Sequence, residues 1–289
     1  MSRIEDALKK LRQPSTPVAP PAKTTQRSSI PLASKKKVAV EGDKHHVVQA
    51  DLVAGGLLAP LDHATAVADD FRRIKRPLIV NATKADAELA DAMNVIMIAS
   101  ALPGAGKTFC SVNLAVSISL ERELNVLLVD ADVPKPHISR EFGLSDKPGL
   151  IDLLLDEQSD VADFLVRTDL NDITVLPAGR AHPQATELLA SDRMSQIVRE
   201  LASRYRDRIV LLDSPPLLLT SEAQALASQV GQIALVVEAG ETSHQMLAHA
   251  LEVLDHDKAV NLILNKTRGV MGGGYYGGDY GYYADDARA

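Results

Sequence analysis

The sequence predicts an α/β fold in which helices cover both faces of a mostly parallel β-sheet. Short apolar segments alternate along the chain with longer segments of helical periodicity, and parallel strands require such crossover helices. Several short segments are apolar without interruption, as in Ile209-Val210-Leu211-Leu212, which is expected of strands buried on both faces. Hydrophobic residues make up 46% of the chain and charged residues 24%, a composition that suits a globular domain with an apolar core.

The alternation sets out the elements in chain order. We predict strands at 94–99, 125–129, 172–176, 208–212, 232–238 and 260–264. We predict helices at 106–121, 149–156, 186–204, 221–229 and 242–255. A further helix is predicted at 63–76, ended by Pro77 because proline disrupts a helix interior, and a short one at 83–91.

By composition, the 289 residues divide into four parts. Residues 1–12 have the pattern of a short amphipathic helix, which either docks on a partner or is a frayed terminus. Residues 13–37 are rich in Pro, Ser, Thr, Ala and Lys, which predicts a disordered linker. Residues 38–268 form the predicted globular domain, and 269–289 are a Gly- and Tyr-rich tail without helical or strand period.

Bulk properties exclude several classes of function. The net charge of −7 argues against a general nucleic-acid binder. The single cysteine, Cys110, excludes an internal disulfide framework and a cysteine-cluster metal site. No apolar run reaches the roughly 18 residues of a membrane-spanning helix, and the N-terminus lacks the apolar stretch of a secretory signal. We therefore expect a cytoplasmic protein that associates with the inner membrane only peripherally, through a partner.

A phosphate-binding motif is predicted where the first core strand meets the next helix. Residues 100–108 read Ser-Ala-Leu-Pro-Gly-Ala-Gly-Lys-Thr, and this strand–loop–helix context is that of a P-loop. The glycines let the backbone N–H groups surround phosphate oxygens, the lysine reaches the outer phosphates and the threonine binds Mg²⁺. The alternative is a Gly-rich turn that carries a lysine by chance, since Ala101 replaces the usual first glycine. The predicted nucleotide-binding residues are Pro103, Gly104, Ala105, Gly106, Lys107, Thr108 and Phe109.

Carboxylates follow two further apolar strands, in Asp130-Ala131-Asp132 and in Asp213-Ser214-Pro215-Pro216. Ligands of open α/β sheets bind at the carboxyl ends of strands, although an Asp at such a position is often only a helix cap. Together with the P-loop, these strand ends predict a site for ATP and Mg²⁺ in a P-loop NTPase-like fold. The predicted metal ligands are Thr108, Asp132 and Asp213. Asn265, after the last strand, either contacts the adenine or caps a helix or strand.

These motifs resemble those of the bacterial tyrosine kinases of capsule and exopolysaccharide export. In that family the P-loop reads Ser-x-x-Pro-Gly-x-Gly-Lys followed by Ser or Thr, as at 100–108. The second motif is an apolar run, Asp-x-Asp, a basic residue and Pro. Here Pro134 stands where the family usually has Arg, so Lys135 supplies the positive charge. The third motif, an apolar run followed by Asp-x-Pro-Pro, matches 209–216.

The resemblance covers roughly residues 63–283. The start Met-Ser-Arg-Ile-Glu and the segment 71–77 are similar to the subgroup linked to exosortase and exopolysaccharide loci. The family also has a helix with the pattern Glu-x-x-Arg-x-x-Arg that assembles a ring of subunits; the alternative here is a solvated charged face. Two registers fit with Asp in place of Glu, so the predicted oligomerisation residues are Asp69, Asp70, Arg72, Arg73, Lys75 and Arg76.

Five of the six tyrosines lie in the tail, at Tyr275, Tyr276, Tyr280, Tyr282 and Tyr283. Tyrosine normally covers apolar surface with its ring, yet glycines surround these residues and offer little to pack against. The cluster is either a set of phosphate acceptors, as the resemblance implies, or a sticky low-complexity segment.

The resemblance therefore implies an ATP-dependent protein-tyrosine autokinase that phosphorylates its own tail and regulates exopolysaccharide polymerisation and export. Lys107, Asp130 and Asp132 are the predicted catalytic residues. Asp130 is the candidate to take the tyrosine proton, although spacing cannot distinguish it from Asp132. The implied partners are a transmembrane activator subunit of the chain-length-determinant type, further copies of the chain in a ring, and a phosphotyrosine phosphatase.

Two other functions share the same phosphate site. A positioning-type P-loop ATPase carries an extra lysine five residues before the P-loop lysine, where this chain has Leu102. A non-catalytic nucleotide switch that regulates an envelope complex would use the same residues without chemistry. Formation of phosphotyrosine separates a kinase from both.

Overall fold

The computed structural model describes most of the predicted globular domain. The predicted helix at 1–12, the linker at 13–37 and the tail at 269–289 with its tyrosines all lie outside the described residues. The described residues are 44–59, 66–84, 92–204, 207–255 and 258–267.

The described strands form one sheet. They are β1 (Val95–Ser100), β2 (Asn125–Asp130), β3 (Val166–Arg167), β4 (Thr174–Leu176), β5 (Arg208–Asp213), β6 (Gln232–Glu238) and β7 (Ala259–Asn265). Their order across the sheet is β3-β4-β2-β5-β1-β6-β7. Neighbouring strands are parallel except for β3, which runs antiparallel to β4. The predicted mostly parallel sheet is therefore confirmed.

Helices connect the strands, as the alternation predicted. They are α1 (Gln49–Ala54), α2 (Ala66–Lys84), α3 (Lys107–Ser119), α4 (His137–Glu141), α5 (Leu150–Leu155), α6 (Ala185–Leu189), α7 (Asp192–Arg204), α8 (Ser221–Gln229) and α9 (His244–Glu252), with a 3₁₀ turn at Val161–Phe164. None of the described helices is both long enough and apolar enough to pass through a bilayer.

Each face of the sheet is buried in its own apolar cluster. All six residues of β1 are buried, and side chains alternate between the two faces of a strand. Met97 accordingly belongs to the cluster that includes Ile197 of α7 and Leu226 of α8, whereas Ile98 belongs to the cluster that includes Leu114 of α3. Burial on both faces explains why these strands are apolar without interruption.

Helix α2 passes through Pro77, so the predicted end of a helix at that residue is wrong. Phe71, Lys75 and Leu78 are buried at the i, i+4 and i+7 spacing of one helix face, and the helix packs against α3. This packing outweighs the cost of proline in a helix interior, about 3 kcal/mol. Most of the separate helix predicted at 83–91 lies outside the described residues.

The predicted helix at 186–204 is two helices, α6 and α7. The Ser191 hydroxyl lies between them and accepts a hydrogen bond from the Met194 amide at 3.2 Å, which caps the start of α7. The helices α1 and α4 and the two-residue strand β3 were not predicted, because such short elements carry too little periodicity to detect.

The carboxyl ends of β1, β5 and β2 lie side by side. Asp213 of β5 is in register with Ile98 of β1 on one side and with Asp130 of β2 on the other. The loops that follow these three strands therefore open at one edge of the sheet, and they carry the predicted phosphate motif and both carboxylate motifs.

Candidate active site

The loop between β1 and α3 has the backbone conformation of a phosphate cradle. Gly104 and Gly106 have φ angles of +88° and +94°, where residues with a side chain are strained. A Cβ atom on Gly106 would lie 2.2 Å from Nδ2 of Asn265, so this position also lacks space for a side chain. Helix α3 begins at Lys107, and the N–H groups of its first turn face the loop.

A cleft of about 490 Å³ opens above this loop, within the size range of small-molecule sites. It is lined by the loops that follow β1, β2 and β5. The lining residues are Pro103, Gly104, Gly106, Lys107, Thr108 and Phe109, then Asp132, Pro134, Lys135 and His137, and then Pro215, Pro216, Leu219 and Thr220. The structure thus brings the predicted phosphate motif together with Asp132. His137, Leu219 and Thr220 were missed, because nothing in their spacing marks them as site residues.

Lys107 is a nearly buried cation in this cleft, with 8% of its surface exposed. Its ammonium group donates to Oγ of Ser100 over a long 3.3 Å. Burial lowers the pKa of Lys107, while the charges of Asp213 and Asp132 act to raise it. A desolvated ammonium group with one long hydrogen bond gains most from an anionic ligand such as phosphate.

Asp213 connects the end of β5 to the start of α3. Its Oδ1 accepts a hydrogen bond from the Ser111 hydroxyl at 2.9 Å. Burial raises the pKa of Asp213 to about 6, against the opposing effects of hydrogen bonds from Thr108 and Ser111 and of the Lys107 charge. The predicted metal ligands Thr108 and Asp213 are therefore in direct contact.

Asp130 does not reach the cleft, which disfavours it as the acceptor of a substrate proton. It is completely buried, and its Oδ2 accepts hydrogen bonds from the amide and the hydroxyl of Ser139 at 2.8 and 2.7 Å. Its Oδ1 has no hydrogen-bond partner among the described residues. Burial and the nearby charge of Asp213 raise the pKa of Asp130 to about 7.

Ser139 explains what Asp130 does. The Ser139 hydroxyl also accepts a hydrogen bond from the Ala178 amide at 2.9 Å, so it joins the end of β2 to the segment that follows β4. Asp130 therefore fixes the loop between β2 and α4. The sequence could not reveal this role, because Ser139 belongs to no motif of its own.

Asp132 is the carboxylate of this pair that lines the cleft. It is partly buried. Burial raises its pKa, and the charge of Lys107, the Lys135 amide and the charge of His137 oppose that effect. Spacing left open whether Asp130 or Asp132 accepts the proton, and the position of Asp132 in the cleft lining favours Asp132.

Asn265 holds the phosphate loop from the side. Its Nδ2 donates to the carbonyl oxygen of Ala105 at 2.8 Å, so the predicted nucleotide-binding residue Ala105 contributes a backbone contact to β7. Asn265 is absent from the described residues that line the cleft. Of the two interpretations left open, adenine contact or cap, the geometry favours a structural contact.

The site has oxygen donors that suit Mg²⁺. The Thr108 hydroxyl, Asp213 and Asp132 are all hard ligands, the class that Mg²⁺ prefers. No three His, Cys, Asp or Glu side chains in the described residues converge as a metal site. A cation here would therefore depend on phosphate oxygens and water for its remaining ligands, which is the usual arrangement for Mg²⁺ with a nucleotide.

The predicted oligomerisation residues of α2 differ in their exposure to solvent. Lys75 is buried, and its ammonium group donates to the Ser117 carbonyl at 2.5 Å and pairs with Glu121 at 2.8 Å. The prediction that Lys75 contacts another subunit is therefore wrong, because its ammonium group is buried and already bonded to Ser117 and Glu121 of the same chain. The exposed residues are Asp69, Asp70, Arg72, Arg73 and Arg76, with Asp69 and Arg72 paired at 2.5 Å.

Comparison with known proteins identifies relatives of this arrangement. A family profile described as an AAA domain matches residues 93–262. The tyrosine-protein kinase YwqD of Bacillus subtilis is 33% identical over 189 residues, which cover 64% of this chain and 78% of YwqD. The tyrosine-protein kinase Wzc of Salmonella typhimurium is 30% identical over 198 residues, but the chain spans only 27% of that longer protein.

Solved structures give the same result. The kinase domain of the Escherichia coli tyrosine kinase ETK has a TM-score of 0.65 and 25% identity, covering 77% of this chain and 83% of that one. The chimerical protein CapA2B2 has a TM-score of 0.61 and 25% identity, covering 76% of this chain and 92% of the other.

Proposed function

The chain belongs to the bacterial tyrosine-protein kinase family, and on that premise we propose that it transfers the γ-phosphoryl group of ATP to the tyrosines of its own C-terminal cluster. One observation carries this proposal. The buried Lys107, the Thr108–Asp213 contact and the cleft-lining Asp132 lie together at one sheet edge, in a chain that carries five tyrosines at 275–283.

The residues divide into two tasks. Lys107 and the N–H groups of the phosphate loop hold the outer phosphates and stabilise the charge that develops there. Thr108 and Asp213 would bind Mg²⁺, directly or through water, which leaves the Asp132 carboxylate for the tyrosine. Bound magnesium nucleotide supplies the phosphoryl group and part of the counter-charge. Because these positively charged and donor groups are fixed before the reaction, they need little reorganisation during it.

Asp132 is proposed to accept the tyrosine proton. A phenol with a pKa near 10 is only about 0.1% ionised at pH 7, so a nearby base increases the fraction of reactive oxygen. The raised pKa of Asp132 makes it a stronger base than an ordinary aspartate. The phenol proton passes to the Asp132 carboxylate as the phenol oxygen bonds to the γ-phosphorus. At the same time the bond between that phosphorus and the bridging oxygen breaks, and the bridging oxygen leaves with ADP.

The chain length allows the tyrosines to reach such a site. Tyr275 is 10 residues and Tyr283 is 18 residues beyond Asn265, where β7 ends. An extended chain covers about 3.3–3.6 Å per residue, so about 35–65 Å is available. This reach fits either the site of the same chain or that of a neighbouring copy.

We also propose that the family's wider system applies to this chain. A ring of identical subunits would use the exposed register Asp70/Arg73/Arg76 of α2. A transmembrane activator subunit would hold the cytoplasmic protein at the inner membrane, and a phosphotyrosine phosphatase would reverse the modification. The cycle of assembly, phosphorylation and release would regulate exopolysaccharide polymerisation and export. Phosphates add about −1.5 to −2 charges each, which would drive the modified tail from an anionic nucleotide site.

Purified full-length protein incubated with ATP and Mg²⁺ tests the central proposal. We expect phosphotyrosine at residues 275–283 by mass spectrometry, and none in Lys107→Met. Lys147→Met is the matched control, because Lys147 is exposed and is not among the residues that line the cleft. Equal phosphorylation of the wild type and Lys107→Met would refute the proposal. ATP turnover without phosphotyrosine would favour a positioning ATPase or a nucleotide switch instead.

A further inference from the structure

Two loops at the rim of the active-site cleft differ sharply in character. The loop after β2 presents an exposed Lys135 and a partly buried His137, and the loop after β5 presents Leu219, which is 62% exposed. Both loops line the cleft that contains Lys107 and Asp132. The rim thus has a cationic part and an apolar part beside the carboxylate assigned to the tyrosine proton.

Both parts are fixed by backbone hydrogen bonds. The Lys135 amide donates to the Asp132 carbonyl at 2.9 Å, so Lys135 lies in a tight turn beside that residue. On the other loop, the Leu217 amide donates to the Ser100 carbonyl at 2.9 Å, and the Thr220 hydroxyl donates to the Pro216 carbonyl at 3.0 Å. Leu219 is therefore exposed on an ordered turn attached to the start of the phosphate loop.

We propose that this rim selects acceptor tyrosines that have carboxylates beside them in sequence. Leu219 would contact the apolar edge of the phenol ring, and the ammonium group of Lys135 would attract the neighbouring carboxylates. This inference rests on the proposed kinase function and adds a substrate class to it. A single exposed leucine is ordinary on a protein surface. Its place on the same rim as the exposed Lys135 is what fits an acidic tyrosine segment.

The tail contains both favourable and unfavourable tyrosines. Asp279 directly precedes Tyr280. Asp285 follows Tyr283 by two residues, and a spacing of two places both side chains on the same side of an extended chain. Tyr275 and Tyr276 lie three or more residues from the nearest carboxylate and are flanked by glycines. We therefore expect Tyr280 and Tyr283 to be phosphorylated before Tyr275 and Tyr276.

The test is the initial phosphorylation rate at Tyr280 and Tyr283 divided by the initial rate at Tyr275 and Tyr276, both measured in the same acceptor chain. The acceptor is the full chain with Lys107→Met, and the enzyme is the full chain with its five tail tyrosines changed to Phe. Changing Asp279, Asp285 and Asp286 of the acceptor to Asn should lower the ratio about two- to fivefold, the range of exposed charge pairs. The effect should shrink as salt is raised. These changes lie in the acceptor tail, so they leave the enzyme's folding unaffected.

Variants of the enzyme complete the test. Lys135→Glu should lower the same ratio, whereas the exposed control Lys147→Glu should leave it unchanged. Leu219→Ala should raise KM for the acceptor chain more than KM for ATP, unlike Leu155→Ala, a control at another exposed leucine. A ratio that ignores the acceptor's carboxylates, or a Lys135→Glu enzyme slowed equally at every site, would overturn the selection by the rim. Absence of phosphotyrosine from the wild-type chain as well as from every acceptor would instead overturn the proposed function, and the inference with it.

Discussion

Asp130 and Asp213 lie directly opposite each other on neighbouring parallel strands, yet they face different partners. Ser139 holds Asp130 through its amide and its hydroxyl. Ser111 of α3 holds Asp213, on the helix that begins with Lys107. One carboxylate therefore fixes a loop, while the other belongs to the phosphate site. The carboxylate that acts on substrate is expected to be neither of them but Asp132, which lines the cleft.

The first prediction separates Asp130 from Asp132 by their effects on phosphorylation. Asp132→Asn removes the proposed base and should slow tail phosphorylation at saturating ATP by about 10²-fold or more, the usual contribution of a general base. Asp130→Asn keeps an oxygen for the Ser139 hydrogen bonds and should retain activity within about tenfold. Single-turnover rates on folded samples, checked by thermal melting, measure the difference. A larger loss in Asp130→Asn would restore Asp130 as the candidate base.

The second prediction concerns the two glycines of the phosphate loop. Both have positive φ angles, so alanine at either position should cost about 1–2 kcal/mol of backbone strain. Only at Gly106 does the added Cβ also strike Asn265; at Gly104 it meets nothing within 4 Å. Gly106→Ala should therefore weaken binding of a fluorescent ATP analogue much more than Gly104→Ala.

A second substitution, combined with each glycine variant, shows why the two variants differ in nucleotide binding. Asn265→Ala removes the atom that the new Cβ would strike, but leaves the φ angle as it is. In this background the two glycine variants should bind nucleotide with similar affinity. If Gly106→Ala remains far weaker than Gly104→Ala, the contact with Asn265 is not what requires glycine at 106.

The sequence predicted the fold and the site best where one local pattern determines the structure. Uninterrupted apolar strands marked the parallel sheet, and the Gly-x-Gly-Lys-Thr motif marked the loop whose φ angles require glycine. It failed where distant residues decide. Pro77 lies inside a helix because Phe71 and Leu78 are buried on either side of it. Asp130 is held away from the cleft by hydrogen bonds from Ser139, and no spacing rule links these two residues in the sequence.

The third prediction concerns Lys75 and the stability of the packing between α2 and α3. Lys75→Met removes the hydrogen bond to Ser117 and the pair with Glu121, and should lower the free energy of unfolding at pH 7 by about 1–3 kcal/mol. Arg73→Met is the control, because Arg73 is exposed on the same helix, is not among the charges that lower the pKa of Glu121, and surface changes usually stay within about 0.5 kcal/mol. Urea denaturation compares the two.

The contribution of the Lys75–Glu121 pair to the free energy of unfolding should also depend on pH. The hydrogen bond from Lys75 lowers the pKa of Glu121, so the folded protein releases this proton more readily than the unfolded chain. The resulting stabilisation is present above the unfolded pKa, near 4.3, and is lost as pH falls through the lower folded pKa. Because the Glu121 side chain is 35% exposed, solvent screening limits it to about 1 kcal/mol or less. The stability gap between wild type and Lys75→Met should therefore narrow from pH 7 to pH 3, and a constant gap would contradict this origin.

The last prediction distinguishes the two registers of α2 by self-association. All three residues of the register Asp70/Arg73/Arg76 are exposed, whereas the register Asp69/Arg72/Lys75 includes a buried lysine. If the exposed register contacts a second copy, Arg73→Glu with Arg76→Glu should reduce the oligomer seen by analytical ultracentrifugation while leaving the melting temperature of the monomer nearly unchanged. Lys75→Met should do the opposite, lowering the melting temperature and affecting assembly only as far as the fold is loosened. An oligomer that survives the double charge reversal intact would show that α2 does not form the contact, because like charges placed across an interface are strongly disfavoured.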